Sequence, residues 1–274
     1  MLTLNLIGAG HVGRVLGKLF EDHGCFQLQD VLTRSAASAQ EAVAFMGAGR
    51  AVDSLAGMRP ADVWLLAVGD DQIVPTSAAL AQAVPLKGSV VFHCSGALAS
   101  SRMQAVSEGG GLAASVHPIR SFADTAAVVA QFSGTFCGVE GDVGALAVLT
   151  PALEAIGARP VAIDASAKTV YHAAAVFASN YLVTVLDAAL RAYQAAGIPE
   201  PVARQMAQPL ATESMANVFR LGAAAALSGP IARGDMATVE RQRGAVAQWD
   251  AATGALYEAL VSPTAELARR KRGA

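Results

Sequence analysis

The sequence has few charged side chains, few aromatic side chains and little net charge. Of its 274 residues, 15% are charged and 5% are aromatic, whereas 53% are hydrophobic, and the formal net charge is −2. Such a chain offers no basic surface to nucleic acid or to an anionic membrane. Its length is sufficient for one large domain or two ordinary ones with a sizeable core. We therefore expect a globular protein with neither nucleic acid nor a membrane as its partner.

Cysteines and metal-binding patterns are also scarce. The three cysteines, Cys25, Cys94 and Cys137, form no CxxC pair, and an odd number of unpaired thiols is typical of the reducing cytoplasm. The five histidines show neither HxH nor HExxH spacing, so no metal site is predicted. Ser95 does not stand in the GxSxG pattern of a nucleophile elbow.

The sequence shows no targeting or membrane-spanning pattern. No basic segment precedes an apolar stretch near the N-terminus, which argues against a signal peptide. The longest apolar run, Ala173–Leu186, is interrupted by polar residues and is too short for a transmembrane helix. We therefore expect a cytoplasmic location.

A glycine motif stands at the N-terminus, where a short apolar strand leads into a helical pattern. Gly8, Gly10 and Gly13 have GxGxxG spacing. In a strand–turn–helix context the first glycine permits the tight turn, the second lets the backbone approach a pyrophosphate, and the third lets the helix pack closely. The motif predicts a dinucleotide site at Gly8, Gly10, His11, Val12 and Gly13, with phosphates held by the helix N-terminus.

The first half of the chain alternates short apolar runs with helical patterns, which predicts βαβ units and a doubly wound, mostly parallel sheet of the Rossmann-like α/β class. The predicted strands are Leu2–Ile7, Phe26–Thr33, Asp62–Val68, Ser89–His93, Leu112–Val116, Thr135–Val139 and Arg159–Ile163. The predicted helices begin near His11, Ala36, Asp70, Leu98 and Asp142.

The character of the sequence changes at residues 155–165. Beyond that point it is rich in alanine and has helical periodicity, which predicts an all-α domain over residues 161–274 after a dinucleotide-binding domain over residues 1–160. The predicted helices are Ala165–Ala196, Pro201–Leu221, Ala237–Leu260 and Pro263–Arg270. A Gly- and Pro-containing segment, Gly229–Asp235, interrupts them, and we expect it to turn the chain and cap the next helix, with lining of a site as the alternative.

The end of the second predicted strand favours NADP over NAD. An NAD site usually carries an acid there, which accepts hydrogen bonds from the ribose hydroxyls. Here Asp30 comes too early, and Thr33, Arg34 and Ser35 occupy the position. A guanidinium with neighbouring hydroxyls suits a 2′-phosphate. FAD is the alternative cofactor, and an exposed arginine without a ligand is the structural alternative for Arg34.

Two further strand ends carry polar or small residues. Val68 ends one predicted strand and is followed by Gly69 and Asp70, and Ser95 comes after the next strand. Ligands of doubly wound folds bind at the carboxyl ends of strands. We expect these four residues to complete the cofactor site.

Several segments together resemble known oxidoreductases. The chain resembles the 6-phosphogluconate dehydrogenase-like superfamily at Gly8–Gly13, at Thr33-Arg34 and at Asp62–Val68 with the following Gly69-Asp70-Asp71. This superfamily includes β-hydroxyacid dehydrogenases, pyrroline-5-carboxylate reductase and prephenate dehydrogenase. A resemblance over nearly the whole chain is to a bacterial family of predicted oxidoreductases that joins a Rossmann-like domain to a helical domain of unknown function. It rests on His93–Ala97, Ser115–Ile119, Lys168–Ala174, Ala178–Tyr181 and Gly229–Asp235.

Lys168 and His172 are the first catalytic candidates. Four residues apart, they share one face of a predicted helix. The resemblance to β-hydroxyacid dehydrogenases implies a lysine at position 168 near the substrate, with His172 in place of an asparagine. Either side chain suits proton transfer to a carbonyl oxygen. The alternatives are an exposed lysine at a helix start and a core histidine bonded to backbone.

His117 is the next candidate, because it precedes Pro118 at the end of a predicted strand. Prephenate dehydrogenases have a similar His-Pro loop, and this resemblance implies acid or base chemistry for His117 and a carboxylate-binding role for Arg120. A turn-forming role is the alternative for the His-Pro pair. Ser95 and Asn180 are expected to orient the substrate.

These observations predict an NADPH-dependent oxidoreductase that acts on a small 2-oxo, imino or hydroxy acid. A homodimer built through the alanine-rich helices is also expected. A non-catalytic NADP(H)-binding sensor is the main alternative, because it would keep Gly8–Gly13 and Arg34 but leave Lys168 and His172 structural. A methyltransferase or flavoprotein with a similar first turn explains Arg34 less well.

Overall fold

The computed structural model describes residues 1–273 and divides the chain into two compact units, Met1–Phe177 and the residues from Ala178 onward. The strands are β1 (Thr3–Ile7), β2 (Gln27–Leu32), β3 (Arg50–Val52), β4 (Val63–Leu66), β5 (Val90–His93), β6 (Leu112–Pro118), β7 (Phe136–Gly141) and β8 (Arg159–Ala162). The helices of the first unit are α1 (His11–Asp22), α2 (Ala36–Met46), α3 (Asp70–Ala83), α4 (Gln104–Glu108), α5 (Thr125–Ala130), α6 (Val143–Ala155) and α7 (Lys168–Val176).

The second unit consists of helices. They are α8 (Leu182–Ala195), α9 (Glu200–Leu221), α10 (Ala223–Ala226), α11 (Pro230–Arg233), α12 (Met236–Trp249) and α13 (Ala251–Arg272). Short 3₁₀ turns lie at Leu55–Gly57, Ser100–Arg102 and Ala165–Ala167, and a π-helical turn lies at Phe177–Tyr181.

The eight strands form one sheet in the order β3-β2-β1-β4-β5-β6-β7-β8. Strands β1 to β6 are parallel, β7 runs antiparallel to β6, and β8 is parallel to β7. The chain order reverses between β1 and β4, as in the Rossmann fold, so ligands are expected at the carboxyl ends of these central strands. The predicted α/β class with a mostly parallel sheet is confirmed.

The central strands are apolar because both of their faces are covered. All four residues of β4 and all four of β5 are buried, as is typical of parallel strands between two helical layers. One apolar cluster contains Leu16, Phe20 and Phe92, and the other contains Trp64 and Ile73. These two cores hold the carboxyl ends of β1, β4, β5 and β6 at one edge of the sheet.

Some local features of the first unit differ from the predictions. Strand β3 and helix α5 were not predicted, because with three and six residues they are too short to show a period. The helix predicted near Leu98 is instead a 3₁₀ turn at Ser100–Arg102 followed by α4.

The predicted break between Leu260 and Pro263 is wrong. The break falls at Asp250, whose carboxylate accepts a hydrogen bond of 2.7 Å from the backbone N–H of Thr253 and so caps α13. Pro263 lies within α13. An internal proline removes one backbone donor but does not always end a helix.

Helical residues run without a break from 165 to 195, close to the predicted Ala165–Ala196. The composition changes near residues 155–165, where β8 ends the sheet, but the compact units divide after Phe177. Helix α7 belongs to the first unit because Lys168 and Tyr171 bind groups of the sheet.

The run 165–195 is also the one helix among the described residues that is long and apolar enough to cross a membrane by length and composition. In its most apolar 18-residue window, 6% of the residues are buried. The shorter apolar run within it, Ala173–Leu186, was predicted to be too short for this. The side chain of Lys168, in the first turn of α7, is 1% exposed and bonded to the sheet.

Candidate functional site

The glycine turn between β1 and α1 has three glycines with three different surroundings. Gly8 has a φ of +83°, and a Cβ there would lie 2.5 Å from the carbonyl oxygen of Ala67. A Cβ on Gly13 would lie 2.7 Å from both the Cβ of Ala67 and the carbonyl oxygen of Gly8. A Cβ on Gly10 would meet nothing within 4 Å. Gly8 and Gly13 are therefore required by the fold, whereas Gly10 keeps open space at the N-terminus of α1.

The N-terminus of α1 is free to bind an anion. No side chain caps it, and its first turn has no acidic residue. His11 is exposed and Val12 is half-buried beside the open Gly10. Backbone N–H groups and the helix dipole at such an end favour a phosphate. The residues present therefore fit the pyrophosphate of a dinucleotide.

The three polar residues after β2 differ in how they are bonded. The hydroxyl of Thr33 donates to the carbonyl oxygen of Ser35 at 2.8 Å, and the hydroxyl of Ser35 caps α2 by accepting from the backbone N–H of Ser38. Arg34 is exposed, and its guanidinium has no hydrogen-bond or ion-pair partner among residues 1–273. Arg34 is thus the group of this loop that is free to bind a ligand.

Asp30 is excluded as a ribose-binding acid. Its side chain is fully buried in β2 and lies 2.9 Å from Nε of Arg50 and 2.8 Å from a terminal nitrogen of Arg59. Burial alone would raise the pKa of Asp30, but hydrogen bonds from Arg59 and Arg50 lower it to about 2. Asp30 is therefore an ionised structural residue that binds β3 and the following loop to β2.

The loops that follow β4 and β5 are joined by a hydrogen bond between side chains. Asp70 follows Val68 and Gly69 and begins α3. The hydroxyl of Ser95 donates to the carboxylate of Asp70 at 2.9 Å, and it accepts from the backbone N–H groups of Ala97 and Leu98. Both predicted cofactor loops thus lie together, and the Ser95 hydroxyl is engaged within them.

The end of β6 carries a histidine–tyrosine pair. Nδ1 of His117 lies 2.9 Å from the hydroxyl of Tyr171 on α7. In the sheet His117 is opposite Gly138 of β7, and a Cβ on Gly138 would overlap the Tyr171 hydroxyl. Tyr171 therefore reaches His117 because position 138 has no side chain.

A second histidine from α7 faces the same space. The rings of His117 and His172 are 5.4 Å apart and nearly perpendicular. Nδ1 of His172 is buried and has no hydrogen-bond partner in the described part of the chain. A Cβ on Gly96 would overlap this atom and would lie 2.8 Å from Nε2 of His117. The two imidazoles are thus packed against the backbone of Gly96, at the carboxyl ends of β5 and β6.

Lys168 is buried beneath the two imidazoles. Its ammonium donates to the carbonyl oxygen of Ser95 at 3.0 Å and to the hydroxyl of Ser115, and it lies 3.4 Å from a carboxylate oxygen of Glu140. The side chain of Lys168 is 1% exposed and that of Glu140 is 7% exposed. The alternative of an exposed lysine at a helix start is therefore wrong.

Burial governs the protonation of His117 and Tyr171. Burial, with the nearby His172 and Lys168, lowers the pKa of His117 to about 4. Burial, with a contribution from Cys137, raises the pKa of Tyr171 to about 12. Burial also lowers the pKa of Lys168, although Glu140 opposes that effect. At neutral pH the pair is therefore an uncharged imidazole bonded to a protonated phenol.

The remaining predicted residues lie elsewhere. Asn180 is exposed on the π-helical turn of the second unit. The guanidinium of Arg120 bonds to the carbonyl oxygen of Gln131 and to the hydroxyl of Thr135. In the Gly229–Asp235 segment, Asp235 caps α12 by accepting from the backbone N–H of Thr238 at 3.1 Å, as the capping prediction stated.

Sequence reasoning missed Tyr171, Gly138 and Glu140. Tyr171 stands beside His172 in a segment already singled out, but its contact with His117 needs the pairing of β6 with β7. That pairing is antiparallel in an otherwise parallel run, and the chain pattern did not indicate it. No spacing in the sequence links Glu140 to Lys168.

Comparison with known families agrees with this architecture. Residues 1–118 match the Rossmann-like domain family, and residues 135–264 match DUF2520, a domain of unknown function. No protein of curated function matches the sequence.

Solved structures show the same fold. Protein TM1727 from Thermotoga maritima is 27% identical, with a TM-score of 0.74 over 98% of this chain and 100% of that one. The "putative NADP oxidoreductase BF3122" from Bacteroides fragilis is 22% identical, with a TM-score of 0.79 over 97% of this chain and 98% of that one. A pyrroline carboxylate reductase from Plasmodium falciparum, solved with NADP bound, is 12% identical, with a TM-score of 0.60 over 97% of this chain and 98% of that one.

Two of these neighbours carry names of oxidoreductases, and both names mention NADP. The two family matches cover the glycine turn at one end and the α7 histidine at the other. A match to a Rossmann-like domain and a match to DUF2520 thus follow one another along the chain.

Proposed function

We propose that the chain is an NADP(H)-dependent oxidoreductase that transfers a hydride between the nicotinamide and a small carbonyl, imino or hydroxy acid. The observation that carries this proposal is the placement of two features on one edge of the sheet. The open glycine turn follows β1, and the His117–Tyr171 pair lies at the carboxyl end of β6. A dinucleotide held at the first feature and extended along the carboxyl edge would bring its reactive ring toward the second.

Arg34 supports NADP as the cofactor. It is exposed, carries a permanent positive charge and has no partner within the described residues, whereas Asp30, the nearest acid in β2, is fully paired. A free guanidinium beside the ribose site favours the dianionic 2′-phosphate over a hydroxyl. Gly8, Gly10, His11, Val12 and Gly13 would hold the pyrophosphate, as their sequence predicted.

His117 and Tyr171 would supply the proton. When bound, NADP(H) supplies or accepts the hydride at the substrate carbon. In the direction of reduction, the neutral His117 donates its Nε2 proton to the substrate oxygen or nitrogen and receives the Tyr171 hydroxyl proton at Nδ1. Tyr171 is partly exposed, so water can return its proton. His172 lies beside this path, and its buried Nδ1 has no hydrogen-bond partner among the described residues.

We also propose a homodimer through the second unit, with a second copy of the chain as the partner. None of the residues of α8 is buried, and in α9 only Ala203 is. Apolar side chains on these helices are exposed, among them Leu210 at 60% and Phe219 at 88%. A helical unit with so small an apolar core gains stability by covering such side chains with the same surface of another copy.

Cofactor preference tests the first part of the proposal. NADPH is expected to bind at least tenfold more tightly than NADH in a fluorescence titration, and Arg34→Ala is expected to remove most of that difference. Arg102→Ala, at another exposed arginine of the first unit, is the matched control and should keep it. Equal affinities for the two cofactors in the unchanged protein would refute the role of Arg34.

Turnover tests the second part. A panel of 2-oxo, imino and hydroxy acids is screened by the absorbance of NADPH, and Tyr171→Phe is expected to lower kcat about 100-fold or more with any substrate found. Tyr257→Phe, which removes a surface hydroxyl bonded to Gln242, is the control and should leave kcat unchanged. If NADPH binds but no compound in a broad panel reacts, the sensor alternative is favoured.

A further inference from the structure

We propose that Glu140 and Lys168 act as a buried charge pair that positions the Ser95–Gly96 peptide against His117 and His172. On this view Lys168 is a positioning residue and does not donate a proton to the substrate. The inference rests on the proposed function in one respect, since it takes the space beside the two histidines to be the reaction site.

The contacts of Lys168 leave it no free donor. An ammonium has three N–H bonds, and three acceptors surround this one: the carbonyl oxygen of Ser95, the hydroxyl of Ser115 and the carboxylate of Glu140. The side chain is 1% exposed. A lysine in these surroundings can transfer a proton to a ligand only after giving up one of these bonds.

Glu140 fixes the position of the ammonium. The register of β6 and β7 places Glu140 opposite Ser115, so its carboxylate reaches the same buried space. One carboxylate oxygen accepts from the backbone N–H of Ser100 and the other from the Ser100 hydroxyl, both at 2.7 Å. The carboxylate is therefore held by the segment that follows β5, in addition to its pairing with Lys168.

The Ser95–Gly96 peptide is bonded at several points. The Ser95 carbonyl oxygen accepts from Lys168 and, at 3.2 Å, from the hydroxyl of Ser115. The Ser95 hydroxyl is bonded to Asp70, and the Ser95 N–H donates to Nδ1 of His93 at 3.1 Å. Because a peptide group is planar, fixing the Ser95 carbonyl also fixes the direction of the Gly96 N–H.

The position of this peptide determines the space between the histidines. An added Cβ on Gly96 would lie 2.8 Å from Nε2 of His117, and it would overlap Nδ1 of His172. A small rotation of the peptide would therefore displace either imidazole or close the gap between them. Two buried charges are costly to desolvate, and a role in holding this peptide accounts for their presence at the edge of the site.

Three variants test the proposal: Lys168→Met, Glu140→Gln and the two combined. Each single change leaves one buried charge without its partner and is expected to lower the melting temperature. The double variant has no unpaired charge and is expected to melt closer to the unchanged protein. Lys18→Met, which breaks the surface pair with Asp22, is the matched control and should alter neither stability nor the site.

The first readout needs no substrate. In ¹H–¹⁵N spectra of the isotope-labelled protein, the Gly96 amide resonance is expected to move in all three variants, the folded double variant included. An unchanged Gly96 resonance in the double variant would overturn the proposal. Because this readout is independent of turnover, it can fail or succeed whatever becomes of the proposed oxidoreductase activity.

The second readout is turnover with any substrate that the panel yields. If the pair positions the site, Glu140→Gln and Lys168→Met lower kcat by similar factors, about tenfold or more, while NADPH affinity stays within about threefold. If Lys168 is instead the proton donor, Lys168→Met abolishes turnover while Glu140→Gln retains most of it. Recovery of both stability and kcat in the double variant would also overturn the proposal, since it would leave the pair a purely structural role.

Discussion

Gly10 and Gly13 should respond in opposite ways to the same change. Both belong to the turn after β1, but an added methyl group meets nothing within 4 Å at Gly10 and lies 2.7 Å from a backbone oxygen at Gly13. Alanine at Gly10 is therefore expected to spare folding and to obstruct a ligand. Alanine at Gly13 is expected to weaken the fold directly.

The structure sets the size of each effect. Overpacking costs about 1–3 kcal/mol, and a 2.7 Å contact with fixed backbone belongs in the upper part of that range. Alanine regains up to about 1 kcal/mol of helix propensity. Gly13→Ala should thus lower stability by about 1–2 kcal/mol, or roughly 2–8 °C in melting temperature. Gly10→Ala should cost less than about 1 kcal/mol, since the only loss is a less favourable N-cap residue.

The affinity for NADPH gives a further test of Gly10. Titration calorimetry with NADPH is expected to show at least a tenfold loss of affinity for Gly10→Ala, about 1.4 kcal/mol. Gly244→Ala, another glycine with nothing near its added Cβ, lies within α12 and should keep wild-type affinity. If Gly10→Ala binds NADPH as tightly as the unchanged protein, the phosphate does not approach α1 at this turn and the reasoning fails.

Two other outcomes are expected. The two arginines lower the pKa of Asp30 from 3.8 to about 2, so the ionised carboxylate contributes about 2 kcal/mol of stability above pH 4, which is lost as the pH falls toward 2. In urea unfolding, the free energy of unfolding of Asp30→Asn should lack this decline. An identical pH dependence in both proteins would refute the role of Asp30. Light scattering of the unchanged protein should give twice the chain mass of 27.9 kDa. Phe219→Glu should be a monomer, whereas the control Val143→Glu, at an exposed residue of the first unit, should remain a dimer. A monomeric unchanged protein would refute the homodimer.

Most of the sheet could be predicted from the sequence because its strands are buried on both sides. Continuous apolar runs such as Val63–Leu66 have few alternative structures, and the glycine spacing indicated a tight turn and a helix after the first strand. The glycine turn after β1 and the position of Arg34 after β2 could thus be placed from the residue pattern alone. Strand β3 was missed because it has three residues and carries no pattern.

The chemistry of the site was harder to predict because it depends on contacts between distant segments. Lys168 and His172 were chosen as a pair by their spacing on one helix, yet in the structure they have different surroundings. Lys168 is enclosed by Ser95, Ser115 and Glu140, whereas His172 has an unpartnered nitrogen next to His117. Helical spacing reports a shared face, and it does not report which groups of the sheet lie opposite each side chain.

Gly138 has a consequence for how related sequences vary. The Tyr171 hydroxyl reaches His117 through the space that a side chain at position 138 would fill. In an alignment of related chains, glycine at 138 should therefore accompany tyrosine at 171, and larger residues at 138 should appear where 171 is not aromatic. Covariation between these two positions, which lie on different elements of the fold, would mark the sequences that share the contact between His117 and Tyr171.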